Sequence, residues 1–134
     1  QKILSLSSEL AELMNQNHLD RALKKILEFS AHFNQYFQHK EPWKKGPGTD
    51  TCVYLSVNAV RSIAISLSSF LPESSEKIWK QLGLPETASQ QPWMSISELK
   101  ISSGHVLGKS SPIFEKIESD DIKAHKNKLG TKNL

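Results

Sequence analysis

The chain has 134 residues, of which 37% are hydrophobic and 23% charged, and its net charge at pH 7 is +3. This length predicts one domain with its own core, and the small positive charge only mildly favours a polyanionic partner. With no apolar run of about 18 residues, no secretory signal and a single cysteine, Cys52, the sequence excludes a membrane span and an internal disulfide and favours a cytoplasmic protein.

Two amphipathic helices are predicted at the start of the chain, over residues 1–16 and 19–39. Apolar residues recur at spacings of three and four in both segments, which is the period of a helix with one buried face. Because the first pattern already runs at Gln1, we expect the domain to be truncated on its N-terminal side. The two apolar faces consist of Ile3, Leu6, Leu10, Leu13 and Met14, and of Leu19, Leu23, Ile26, Phe29 or Ser30, Phe33 and Phe37.

A loop rich in proline and glycine follows over residues 41–48, and Pro42 ends the second helix. Residues 50–71 then form a third helix with Thr49 or Asp50 as its N-cap. We expect Pro72 to stop it. Its predicted core stripe consists of Val53, Val57, Val60, Ala64, Leu67 and Leu71, widened by Cys52, Ile63 and Phe70.

The remaining chain is predicted to hold two short helices and an irregular extension between them. Residues 73–82 form a helix that Gly83 ends, and a last helix begins at Asp120 or Asp121, runs to about residue 128 and is ended by Gly130. In the mixed segment 93–117, residues 112–114 form an apolar clamp, and residues 131–134 are frayed. The fold class is therefore an all-α bundle of four or five helices, with a C-terminal extension packed across it.

No motif for catalysis or metal binding is present in the sequence. The glycine-rich phosphate loops, the zinc-protease motif and the nucleophile-elbow motif are all missing. None of the five histidines has metal-ligand spacing to a carboxylate or thiol, and Cys52 begins an apolar helix as a core residue would. We therefore predict no catalytic residue and no metal site in this chain.

The strongest candidate for binding is Trp43, which lies in the loop beside Lys40, Lys44 and Lys45. An exposed aromatic ring flanked by cations suits single-stranded nucleic acid, since the ring stacks on a base while lysines contact phosphates. The competing interpretation is that Trp43 caps the end of the bundle. Composition alone leaves both open.

Four segments resemble methionyl-tRNA synthetases, in the same order as in that family. The first is Asn34 to Phe37 followed by Glu41, Pro42, Trp43 and Lys44, which is similar to the family's NxY and EPW signature. The others are Phe70 to Glu73, Ile78 to Gly83, and Gly104 and His105 followed by Lys109, Pro112, Phe114, Lys116, Ile117 and Glu118. The match covers about residues 15–125 and is closest in character to archaeal and eukaryotic cytosolic members.

The resemblance implies the family's helical anticodon-binding domain and a tRNA(Met) anticodon stem-loop as partner. In that family the tryptophan at Trp43 stacks on the first anticodon base, a cytosine, while Pro42 and Glu41 shape the loop. Asn34 and Gln38 are then expected to read base edges or hold the loop, and Lys44 and Lys116 to contact phosphates. The family's catalytic domain, which uses ATP and magnesium, is absent from these residues, as is an earlier helix whose Asn and Arg read the first base. The parent enzyme would be a class I methionine–tRNA ligase.

Two other interpretations stay open. The chain could be a helical protein-interaction module that has kept the bundle but not the RNA contacts, or the anticodon domain of another class I synthetase. A truncated bundle would also expose an apolar face, either Leu6, Leu10 and Leu13 or a neighbouring groove. A second copy of the chain is expected to cover that face in a homodimer.

Overall fold

The computed structural model describes residues 1–128, and within that range it contains helices and turns but no strand. This confirms the all-α fold class. The predicted helix end at Gly130 and the frayed tail at 131–134 lie outside the described residues. The helices are α1 (Lys2–Asn15), α2 (Leu19–Lys40), α3 (Thr49–Leu67), α4 (Pro72–Gln81) and α5 (Ser119–Lys128), with short 3-10 turns at Pro42–Lys44, Ala88–Gln90 and Trp93–Ser97.

The first helix, α1, is covered by this chain itself. Leu6 and Leu10 are 1% and 0% exposed, and α1 packs against α2 and the 3-10 turn Trp93–Ser97. The indole N–H of Trp93 donates to the Ser7 carbonyl at 3.0 Å and fastens that turn to the helix. The prediction of an open Leu6, Leu10 and Leu13 face is therefore wrong, because the C-terminal extension folds back over it. The expected homodimer would need this face, which is already buried within one chain.

The central helix, α3, contacts α2, α4 and two of the 3-10 turns, and its buried face differs from the predicted one. Val53 and Val60 of the expected stripe are 41% and 38% exposed. The side chains of Asn58, Arg61 and Ser62 are instead almost fully buried. These polar groups can be buried because each hydrogen-bonds the main chain of the C-terminal extension.

Arg61 holds the extension where its first residues, near Ser95 and Glu98, pass over α3. Its guanidinium donates to the Ser95 carbonyl at 2.6 Å and to the Glu98 carbonyl at 3.3 Å, and lies 5.7 Å from the ring centroid of Trp79. Burial lowers the pKa of Arg61, an effect that the charge of Glu98 partly offsets. This buried cation, bound by neutral carbonyl groups, therefore has a structural role and attaches the extension to α3.

The extension stays on the bundle as far as Ser111. His105 Nε2 lies 2.6 Å from the Leu82 carbonyl, and the Gly108 N–H donates to the Gln81 carbonyl at 2.9 Å. The expected clamp at residues 112–114 is wrong in part, because Phe114 is 67% exposed. No side chain of α5 is buried. The packed part of the extension therefore ends before the last helix.

Both ends of α3 and the start of α4 differ from the prediction for simple backbone reasons. Helix α3 ends at Leu67 rather than at residue 71, and Pro72 begins α4 instead of stopping α3. Proline suits the first turn of a helix, where its missing N–H would have no partner. Gly48, at a φ of 83°, takes the N-cap position expected of Thr49 or Asp50. Among residues 1–128 the structure shows no candidate for a membrane-spanning helix.

Candidate nucleic-acid interface

The candidate site is built on the turn Pro42–Lys44, hereafter the tryptophan turn. Helix α2 ends when Glu41 adopts a left-handed conformation with a φ of 44°, and Lys45 does the same at 49° after the turn. The Lys44 N–H donates to the Glu41 carbonyl at 2.9 Å and the Lys45 N–H to the Pro42 carbonyl at 3.2 Å. Two left-handed residues other than glycine are costly, so the surrounding structure must hold this turn in place.

The support for the tryptophan turn comes from α3. Pro42 is buried, and the turn packs against that helix. The loop between them is closed by a reciprocal pair of hydrogen bonds, in which the Gly46 N–H donates to Thr49 Oγ1 and the Thr49 N–H to the Gly46 carbonyl. The turn therefore projects its central residue from a fixed base.

That central residue is Trp43, and its ring is supported on one neighbour while remaining accessible. Its ring centroid lies 6.1 Å from that of Phe37, at an interplanar angle of 54°, and its side chain is 55% exposed. Trp79 and Trp93, in contrast, donate their indole N–H groups to carbonyls, whereas Trp43 has no such acceptor within residues 1–128. A capping tryptophan would be buried as Trp79 is, at 2% exposure, so the geometry favours a stacking platform.

The charge around Trp43 is positive. The three lysines near it in the sequence are exposed: Lys40, Lys44 and Lys45. The one acidic residue between positions 40 and 45 is Glu41. Glu41 Oε2 lies 2.7 Å from Lys44 Nζ and partly neutralises that lysine. No ion pair in the described part of the chain involves Lys40 or Lys45. These two cations are therefore available to phosphates.

Asn34 and Gln38 lie exposed on the last two turns of α2. Neither side chain is hydrogen-bonded within residues 1–128, so both retain free donors and acceptors. Asn34 and Phe37 line an open space of about 530 Å³ bounded by α2, α3, α4 and residues 107–113, hereafter the α3 groove. Phe37 thus contacts Trp43 and also forms part of this groove.

Lys116 is not brought to the tryptophan turn. It lies in the exposed segment before α5, and its Nζ is 3.4 Å from Glu118 Oε1. No hydrogen bond or ion pair among residues 1–128 links it to the turn. The structure therefore holds Pro42, Trp43 and Lys44 in one turn, while Lys116 lies on a separate exposed segment of the chain.

Sequence reasoning assigned no role to Tyr36 beyond its place in the NxY segment, and it predicted an exposed groove only in general, without the residues of the α3 groove. Burial raises the pKa of Tyr36, as does the neighbouring Cys52. Cys52 is fully buried, as a core residue should be. The signal for the groove was present in the sequence, because α3 carries almost no charge on any face. No three His, Cys, Asp or Glu side chains of residues 1–128 converge as a metal site would require.

Comparison with known proteins gives one consistent family. Residues 2–133 match the family model described as the anticodon binding domain of methionyl tRNA ligase. The chain is 32% identical over 130 residues to Methionine--tRNA ligase of Thermofilum pendens, covering 96% of this chain and 23% of that protein. It is 36% identical over 118 residues to Methionine--tRNA ligase of Pyrococcus horikoshii, covering 85% and 16%. With the human Methionine--tRNA ligase, cytoplasmic, it is 32% identical over 126 residues, covering 89% and 14%. The chain thus spans a quarter or less of the length of these relatives.

Proposed function

The chain belongs to the family of anticodon-binding domains of methionyl-tRNA ligase, and from this premise we propose that it binds the anticodon stem-loop of tRNA(Met). In this proposal residues 1–134 act as one domain of a methionine–tRNA ligase. The observation that carries it is the half-exposed ring of Trp43, held on Phe37 by a strained turn and flanked by lysines.

Trp43 stacks on an unpaired base, which is worth about 1–3 kcal/mol for each base. The ring already lies against Phe37, and the neighbouring Pro42 is buried, so part of the side-chain freedom is lost before binding. Stacking does not distinguish one base from another. The first anticodon base, a cytosine in the family pattern, must be read by hydrogen bonds.

The free amides of Asn34 and Gln38, on the last two turns of α2, are the candidates for that recognition. Both are exposed and carry donors and acceptors that have no partner within residues 1–128. Lys40, Lys44 and Lys45 contact phosphates of the loop, which makes binding sensitive to salt. Lys116, in the exposed segment before α5, contacts the stem as a second point of attachment.

The whole-enzyme part of the proposal rests on the named relatives. The parent would be a class I ligase that joins methionine to tRNA(Met) with ATP and magnesium bound in its catalytic domain, which is a further partner of this chain. This segment would contribute recognition and no catalytic residue. We place it in the cytoplasm, which the single cysteine and the cytoplasmic human relative support.

A second function is favoured by one observation. The α3 groove is lined by neutral side chains only, as an interface with protein would be. A protein-interaction module without RNA contacts is therefore the alternative. Its binding should respond little to salt, whereas phosphate contacts weaken steeply as salt rises.

The test is a titration with a tRNA(Met) anticodon stem-loop at low salt. Trp43→Ala should weaken binding by about tenfold or more, as the loss of one stacked base allows. Phe114→Ala is the matched control, because Phe114 is an exposed aromatic residue outside the tryptophan turn. Equal affinity of the Trp43→Ala variant and the original chain would refute the stacking role. A stem-loop with another anticodon base at the first position tests base recognition separately.

A further inference from the structure

A second open pocket lies at the start of α3, next to the loop that carries the tryptophan turn. It has a volume of about 660 Å³ and is bounded by the first turns of α3 and by residues 101–107, and it is hereafter called the Tyr54 pocket. Ligand sites typically have volumes of about 300–1,000 Å³, so the pocket has room for a nucleotide. Its lining begins at Asp50, one residue after Thr49, which closes the loop from the tryptophan turn.

The apolar walls of the Tyr54 pocket suit the flat face of a base. Val53 and Tyr54 are 41% and 36% exposed, and Val57 and Leu107 complete the surface and also border the α3 groove. A base that has left its stack is bound against aromatic and apolar side chains. The phenol ring of Tyr54 is such a surface, as the indole ring of Trp43 is in the tryptophan turn.

The polar groups of the pocket are hydrogen-bond acceptors rather than cations. No lysine or arginine of the described chain lines it, and the carboxylate of Asp50 has no ion pair or hydrogen bond among residues 1–128. His105 also lines the pocket, and its Nε2 lies 2.6 Å from the Leu82 carbonyl oxygen. Because a carbonyl only accepts, Nε2 carries the proton, and Nδ1 of the neutral ring is a further acceptor.

This set of acceptors selects a base edge rather than a phosphate. A carboxylate repels a phosphate, whereas it accepts hydrogen bonds from the exocyclic amino group of a base. Uracil has no such group, so the chemistry of Asp50 favours an amino-bearing base over uracil.

We propose that the Tyr54 pocket holds a second unpaired base of the RNA loop, one with an exocyclic amino group, while another base stacks on Trp43. Tyr54 supplies the stacking face, and Asp50 accepts a hydrogen bond from the amino group. Asp50 and Tyr54 are then specificity-determining residues, in addition to the amides on α2. The proposal rests on the proposed function, because its ligand is the same anticodon stem-loop.

The tryptophan turn and the Tyr54 pocket together require unpaired RNA. The closed loop from Gly46 to Thr49 separates them, so a base on Trp43 and a base in the pocket cannot remain stacked on each other. Nucleotides of a loop can be splayed apart in this way, whereas those of a duplex stay stacked and paired. The two sites therefore select a loop over a stem.

A cycle of protein and RNA variants tests the proposal on the 134-residue chain. Asp50→Asn removes the carboxylate, and the RNA variants are stem-loops in which one loop base at a time lacks its amino group: purine for adenine, 2-pyrimidinone for cytosine or hypoxanthine for guanine. Asp20→Asn is the matched control, because Asp20 is exposed and is the second residue of α2, as Asp50 is of α3. Fluorescence anisotropy at low salt measures each affinity.

We expect Asp50→Asn to weaken binding of the unmodified stem-loop by about tenfold, as the loss of one hydrogen bond to a charged group allows. Asp20→Asn should leave the affinity unchanged or raise it slightly, because it removes a negative charge from the protein. At one loop position, removal of the amino group should weaken binding of the original chain about as much, and it should cost Asp50→Asn nothing further. Unchanged or tighter binding by Asp50→Asn would overturn the proposal, as would amino-group effects that are the same in both proteins at every position.

Two substitutions at Tyr54 test the stacking face without removing the bulk of the side chain. Tyr54→Phe keeps the ring and should keep the affinity, whereas Tyr54→Leu keeps apolar volume but loses the ring and should weaken binding by about fivefold or more. Equal affinities of Tyr54→Phe and Tyr54→Leu would overturn the assignment of the pocket.

The failure of this proposal and that of the proposed function are distinguishable through Trp43→Ala. Stem-loop binding that depends on Trp43 but not on Asp50 contradicts the Tyr54 pocket alone. A chain that binds no stem-loop at all contradicts the proposed function and the pocket together.

Discussion

Asn58 and Ile101 are joined by a reciprocal pair of hydrogen bonds in the buried interior. Asn58 Nδ2 donates to the Ile101 carbonyl at 3.0 Å, and the Ile101 N–H donates to Asn58 Oδ1 at 3.0 Å. The side-chain amide of Asn58 thereby satisfies both main-chain groups of Ile101, as the main chain of a neighbouring segment otherwise would. This is how an irregular extension without strands is fixed on a helical bundle.

Replacing Asn58 by alanine should therefore destabilise the fold strongly. Both main-chain groups of Ile101 would lose their partner in a buried place, and the cost is about 2–4 kcal/mol for two such groups. Urea unfolding followed by circular dichroism measures the change in the free energy of unfolding. Gln35→Ala, at an exposed position of α2, is the control and should change it by less than about 0.5 kcal/mol. An equally small effect of Asn58→Ala would show that the extension is not anchored there.

Gly108 gives a second test of how the extension is held. A Cβ atom added at Gly108 would lie 2.5 Å from the Lys80 carbonyl oxygen, which is too close for any real contact. Gly108→Ala should therefore push the extension from the end of α4, at a cost of about 1–3 kcal/mol.

Gly46→Ala is the matched control for Gly108→Ala, because an added Cβ there meets nothing within 4 Å. Both variants are compared with the original chain by thermal unfolding. Equal melting temperatures for the two variants would contradict the close packing of residues 107–108 on α4.

Some parts of this molecule could be predicted from the sequence and others could not, for physical reasons. The helices of the bundle follow from periodicity and from residues such as Pro42, and the tryptophan turn follows from the resemblance of residues 41–44 to a known motif. The buried face of α3 did not follow, since Arg61 and Asn58 are polar residues whose burial depends on partners 34 and 43 positions away. Periodicity records only apolar positions, so it selected the valines that form the α3 groove. The position of Lys116 likewise depends on where the extension leaves the bundle.

The stability of the fold should fall at high pH through Tyr36. Burial raises its pKa above the ordinary value of 10.0, so the folded state favours the protonated phenol. For a group whose pKa is raised on folding, the contribution to stability is complete below the unfolded pKa and is lost as pH rises through the folded one. The loss attributable to Tyr36 should therefore begin near pH 10.

Comparison with Tyr36→Phe isolates this contribution, since the phenylalanine has no proton to lose. Unfolding free energies of both proteins are measured at steps from pH 8 to 11. The difference between them should change with pH only above about pH 10. A constant difference between Tyr36→Phe and the original chain would contradict the role of Tyr36.

The ion pair between Glu41 and Lys44 leads us to predict a gain in RNA affinity, in contrast to the loss expected for Trp43→Ala. Glu41 Oε2 lies 2.7 Å from Lys44 Nζ, so it competes with phosphates for that lysine and places a negative charge beside the tryptophan turn. Glu41→Gln should therefore tighten binding of the anticodon stem-loop by about threefold at low salt, which corresponds to the modest energy of an exposed ion pair. The same variant should make the affinity fall more steeply with salt, because one more lysine is free to neutralise a phosphate.

Glu73→Gln, which removes an exposed carboxylate in the first turn of α4, is the control for the change in net charge and should alter the affinity less. Weaker binding by Glu41→Gln would mean that the carboxylate itself maintains the tryptophan turn, and that Lys44 acts on the fold rather than on the RNA.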